Sequence, residues 1–190
     1  MNTAFIGLDY IYDIVHAEGK LAKGSGQALD AAKLARVNQA LTVSKEKGWL
    51  TILVKVGFAP GYINQPKDSP FFGGADKAGI LELGTPGTEF HPDLKADLAD
   101  IVVVKPRVNA FYATELEAVL RANKIDRLVI AGVSTAWAVQ ATARDAHDRD
   151  YQVVVVEDAS ASATQAEHDE SIRLLGRLAR IVKVEDLAGL

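Results

Sequence analysis

The chain has 190 residues, 48% apolar and 24% charged, with a formal net charge of −4 and no cysteine. That length suits one domain around one core, and no apolar run approaches the roughly 18 residues that span a bilayer. Interspersed charge without a Lys/Arg stripe leaves no footprint for nucleic acid, and the missing thiols exclude disulfides and thiolate metal sites. Met1 to Asp9 lacks the basic start and cleavage site of a secretory signal, so the cytoplasm is the expected compartment and a small molecule the expected partner.

In chain order, apolar runs recur at Ala4 to Leu8, Leu50 to Val56, Ile101 to Val104, Leu128 to Ala131, Val153 to Val156 and Ile181 to Val184. They are mostly β-branched and seldom alternate with polar residues, which reads as strands covered on both faces. Between them lie apolar faces at helical spacing: Leu34, Val37 and Leu41; Leu116, Val119 and Leu120; Val139, Ala143 and Ala146; Ile172, Leu175 and Leu178. Alternating strands and helices predict a three-layer α/β/α, Rossmann-like domain over a mostly parallel six-stranded sheet, residues 1–190 forming a single unit. Gly57 to Pro92 holds five of the six prolines and nearly half of the glycines, so it is expected to be mostly loop, as a lid, binding loop or dimer arm.

Ligands of an open parallel sheet sit beyond the carboxyl ends of its strands, near the point where strand order reverses. Asp9 closes the first strand, Lys105 follows the third, and Gly132-Val133-Ser134-Thr135 follows the fourth. Asp9 is equally readable as a cap or turn residue, and Lys105 as a solvated lysine, although Pro106 fixes its setting. The Gly132 turn leads into a helix N-terminus, where free N–H groups favour negative charge. Aromatic residues that could wall a pocket are Tyr10, Phe58, Tyr62, the Phe71-Phe72 pair and above all Phe111, with Thr135 and Trp137 beside the turn. Plain packing or a dimer contact is the competing reading for the aromatic residues, and Trp137 is equally readable as facing an adjoining subunit. Gly24-Ser-Gly26 reads as a flexible helix start. The first strand runs into Leu8-Asp9-Tyr10-Ile11 rather than Gly-x-Gly-x-x-Gly, which argues against a dinucleotide site. No cofactor is expected.

Gly132-Val133-Ser134-Thr135 followed by Ala143-Arg144-Asp145-Ala146 resembles the signature of the isochorismatase-like (cysteine hydrolase) family, and the resemblance extends over nearly the whole chain. It implies a catalytic triad in which Asp9 is the general acid/base, Lys105 the supporting cation, and position 138, here Ala138, the place of the nucleophilic cysteine. It further implies a cis peptide between Val133 and Ser134, an oxyanion hole built from Val133, Ser134 and residue 138, and assembly as a homodimer or homotetramer. The nicotinamidase branch binds metal through an Asp-x-His pair after the second strand. This chain has Lys55-Val56-Gly57 there, and His16, His91, His147 and His168 are scattered, so no metal is expected and all four histidines are placed at the surface or at helix ends.

Three functional readings remain open. The first is a cysteine-type amidohydrolase cleaving a C–N bond of a small amide, imide or ureide, with its nucleophile replaced by alanine and the chain therefore inactive. The second is a cysteine-free hydrolase of the isochorismatase kind, cleaving a vinyl ether with Asp9 as general acid. The third is a noncatalytic paralogue that binds a metabolite or serves as an oligomerisation partner.

Overall fold

A computed structural model describes residues 1–190. Six strands, β1 (Thr3–Leu8), β2 (Leu50–Val56), β3 (Ile101–Lys105), β4 (Arg127–Gly132), β5 (Gln152–Val156) and β6 (Arg180–Val182), form one sheet in the order β3-β2-β1-β4-β5-β6, every pair parallel. Strand order reverses between β1 and β4, whose registers bring Leu8 opposite Gly132. The strands are buried on both faces because their β-branched side chains meet helices on each.

Seven α-helices connect the strands: α1 (Tyr12–Val15), α2 (Lys20–Ser25), α3 (Ala31–Glu46), α4 (Ala75–Ala78), α5 (Leu116–Ala122), α6 (Gln140–Asp148) and α7 (Gln165–Leu175). Leu34, Val37 and Leu41 of α3 pack against Phe5, Leu53 and Val129 on one face of the sheet. Leu116 and Leu120 of α5, Ala143 and Ala146 of α6 and Leu175 of α7 cover Ile6, Ile52 and Ile130 on the other. The side chains alternate along each strand, so adjacent residues feed opposite cores. Asp30 and Thr164 cap α3 and α7 by accepting the N–H groups of Lys33 and Glu167.

Three features differ from the sequence expectation by more than a one-residue shift of a strand end. The last strand stops at Val182, because Val184 opens a 3₁₀ turn whose start is tied down by Asp186 accepting the Lys183 N–H. Leu178 lies past α7, packed on the core from a turn. Gly24-Ser-Gly26 ends a helix instead of starting one: Gly26 has φ 72°, the left-handed conformation of a helix terminus, and its N–H returns to the Ala22 carbonyl. Residues 57–92 are mostly loop, interrupted by α4 and short 3₁₀ turns. No helix is long and apolar enough to cross a membrane.

Candidate active site

Asp9 is the first residue beyond β1 and takes φ 59°, a left-handed conformation that turns its side chain across the strand ends. Its own N–H donates to the Val54 carbonyl (2.8 Å), and its Oδ1 accepts the N–H of Val56 (2.7 Å) at the end of β2. Its Oδ2 lies 2.7 Å from Lys105 Nζ, contributed by the last residue of β3. Both side chains are buried, 4% and 1% exposed respectively, so this pair is not a solvated surface contact. Lys105 also donates to the carbonyls of Val108 (2.9 Å) and Arg107 (3.2 Å). Burial pushes the Asp9 carboxyl above its ordinary range, against the opposing pull of Lys105 and the Val56 N–H.

The third strand end is built by close packing. A Cβ on Gly132 would fall 2.5 Å from Leu8 Cβ and 2.7 Å from the Leu8 carbonyl oxygen, so only glycine lets β4 run this close to β1. The Val133–Ser134 peptide is cis. Val133 forms a parallel bridge with Ala161, and the Thr135 N–H donates to the Ala161 carbonyl (2.7 Å). Residues Thr135–Val139 then form a π-helical turn that leads directly into α6. Within it Ala138 is 3% exposed and Trp137 51%. The Val133 N–H, expected in the oxyanion hole, donates to the Leu8 carbonyl (3.1 Å) and is not free, whereas the Ser134 N–H has no acceptor in the protein.

These three strand ends open on a cavity of about 270 Å³. Asp9, Lys105, Val133, Ser134, Trp137 and Ala138 all line it, so the residues singled out from sequence at the strand ends share one space. Phe71, Phe72, Ile80 and Leu81 from the long loop, Ile14 of α1, and Leu21, Ser25 and Gln27 on or just beyond α2 form most of the remaining wall.

Several pocket residues expected from sequence lie elsewhere. Tyr10 follows Asp9 but turns into the core, fully buried, with its hydroxyl donating to the Ala159 carbonyl (2.6 Å). Phe58 is buried beneath Phe72, their rings edge to face, and so supports the wall from behind. Tyr62 packs next to Phe58 and donates its hydroxyl to the Ile80 carbonyl. Phe111 sits on the opposite side of the sheet, against Tyr151 and the Arg149 guanidinium. Thr135 points away from the cavity, its hydroxyl 2.8 Å from His168 Nδ1. The surface placement of the histidines fails for two of them: His91 and His168 are each only 8% exposed, and burial lowers the proton affinity of both. The 84–94 segment braces the site from outside, with Phe90 bridging Ile11 and the His91 N–H donating to the Tyr10 carbonyl.

Sequence reasoning missed the walls from α1, α2 and Ile80-Leu81, since nothing in a short apolar stretch says which loop folds back over a strand end. One signal was present in Asp13, an acidic residue amid apolar ones. It is buried, accepts N–H groups from Lys20 and Leu81, and so fastens both walls to α1.

The isochorismatase domain model matches residues 3–186. The chain belongs to the isochorismatase family. Among its relatives is the isochorismatase family protein YecD of Escherichia coli O157:H7, 32% identical over 176 residues that cover 90% of this chain and 89% of YecD. The ureidoacrylate amidohydrolase RutB of Methylorubrum extorquens is 32% identical over 153 residues, 78% of this chain and 60% of RutB. Among solved structures, N-carbamoylsarcosine amidase from Thermoplasma acidophilum superposes with a TM-score of 0.76 at 26% identity, covering 97% of this chain and 98% of the amidase. The family is hydrolytic, and its all-parallel α/β architecture is the one described above.

Proposed function

We propose that this chain carries the site of a cysteine-type amidohydrolase for a C–N bond of a small amide, imide or ureide, with Ala138 standing at the nucleophile position. The supporting observation is that the buried Asp9–Lys105 pair and the Ala138 methyl line one cavity. The amidohydrolase and amidase among the relatives belong to the same reaction class.

With a thiol at position 138, Asp9 takes its proton and the thiolate attacks the amide carbon. Lys105 balances the charge that would otherwise be stranded in a buried place. The oxyanion of the tetrahedral intermediate receives the free Ser134 N–H. Collapse expels the amine, which leaves with the proton held by Asp9, and water then cleaves the thioester under base assistance from the same carboxylate. A methyl group forms no acyl-enzyme, so the chain as it stands binds without turning over by this route.

The test is Ala138→Cys against a panel of small amides and ureides, read by ammonia release. Hydrolysis by the variant and none by the unmodified chain is the expected result. A variant that binds these compounds and never releases ammonia removes the reading.

The raised proton affinity of Asp9 favours one second reading, in which the carboxylic acid protonates a vinyl ether and water completes the hydrolysis without cysteine. It requires the unmodified chain to consume isochorismate and Asp9→Asn to abolish that activity.

A further inference from the structure

The cavity has one basic side chain, Lys105, and its ammonium has three N–H donors. All three have protein acceptors: the Asp9 carboxylate at 2.7 Å, the Val108 carbonyl at 2.9 Å and the Arg107 carbonyl at 3.2 Å. Arg107, the next cation along the chain, turns its guanidinium to the Asn64 and Pro106 carbonyls and is not part of the lining. The remaining polar side chains of the wall, Ser25, Gln27 and Ser134, are neutral, and the rest is hydrocarbon or aromatic. A carboxylate on a bound ligand would therefore lose water and meet no free cation to offset that cost.

At the mouth, Phe71 and Trp137 stand with ring centroids 5.2 Å apart, 54% and 51% exposed. They present apolar edge and face against which a ligand's ring would lie. An apolar cavity of roughly 150 Å³ admits benzene, so about 270 Å³ accommodates a ring bearing a carboxamide and a small substituent.

We infer that this cavity selects uncharged amides with an aromatic or branched apolar acyl group, and discriminates against amides and ureides that carry a carboxylate. For the reaction, this rests on the amidohydrolase reading. For binding, it does not depend on that reading.

The experiment is calorimetric titration of the unmodified chain with 4-methylbenzamide and 4-carbamoylbenzoate at neutral pH, two compounds of similar shape that differ by one charge. The neutral compound is expected to bind at least ~10-fold more tightly, and Trp137→Ala to weaken it at least ~3-fold. Equal or tighter binding of the carboxylate, no binding of either compound, or indifference of 4-methylbenzamide to Trp137→Ala overturns the inference. Turnover separates it from the proposed reaction. Ala138→Cys hydrolysing 4-carbamoylbenzoate in preference to 4-methylbenzamide overturns the charge selectivity and leaves the amidohydrolase reading in place. Selective binding of the neutral amide without ammonia release from the variant leaves the selectivity and removes the reading.

Discussion

Asp9 and Lys105 meet at 2.7 Å although β2 lies between the strands that carry them. The contact is possible because Asp9 leaves β1 with φ 59° and reaches across the end of β2, where Val56 donates its N–H to the second carboxylate oxygen. A pair held this far from water is not primarily a source of stability, because desolvation of both charges cancels much of their attraction. Its persistence in the core fits a role in chemistry or binding.

Removing one partner should be far worse than removing both. Lys105→Met is expected to destabilise the fold by about 3–5 kcal/mol, since it leaves Asp9 charged and uncompensated or forces it to take up a proton. The double variant Asp9→Asn, Lys105→Met should lose clearly less than the two single losses added together. Urea denaturation of all four proteins measures the cycle. Additive losses would show that the two side chains do not interact in the folded chain.

His168 gives the fold a pH dependence of defined sign. Burial, followed by the nearby Lys33, holds its proton affinity below the ordinary value of 6.5, with Asp169 opposing weakly. The unfolded chain therefore binds this proton more readily than the folded one. The stability involved is fully present above pH 6.5 and is lost as pH falls through the lowered value of the folded state. His168→Gln should flatten the decline in urea midpoint below that pH without abolishing it, because His91 is shifted in the same direction. A decline of unchanged slope would assign the effect elsewhere.

Tyr10→Phe tests where the cavity ends. The hydroxyl donates to Ala159 in a fully buried setting, so its removal should cost about 1–3 kcal/mol by leaving that carbonyl short of a donor. Ligand affinity should stay the same, because the ring does not line the cavity. Thermal unfolding and calorimetry on the same sample separate the two effects, and a large drop in affinity at modest destabilisation would contradict the geometry.

Gly132→Ala places a methyl group against Leu8 and should cost about 1–3 kcal/mol as β4 and β1 are forced apart. The same shift moves Ser134 and Ala138 relative to Asp9, so activity gained through Ala138→Cys should fall further than stability does. Equal kcat with and without Gly132→Ala would mean that this contact does not set the site.

The sheet was readable because its β-branched runs are long and continuous, and the strand-end residues followed from a general rule about parallel sheets. Apolar residues at helical spacing, such as Leu34, Val37 and Leu41, carried the longer helices. The cavity wall was not readable. Phe111 and Phe71 look alike in sequence, yet one lies across the sheet against Tyr151 and the other stands at the mouth beside Trp137. Tyr10 follows Asp9 directly, and the sharp change of direction at Asp9 sends the two side chains to different places. The place of Phe71 depends on how the 57–92 segment folds back, which is settled by tertiary contacts such as Asp13 accepting the Leu81 N–H and Tyr62 donating to the Ile80 carbonyl.

Phe71 and Trp137 are 66 positions apart in the chain and touch only at the rim, one on a segment braced by short turns and the other ahead of α6. A guest seated against both would staple these distant stretches together. Occupancy should therefore be legible as slowed amide hydrogen exchange in residues 66–81, a signal available even from a protein that performs no chemistry.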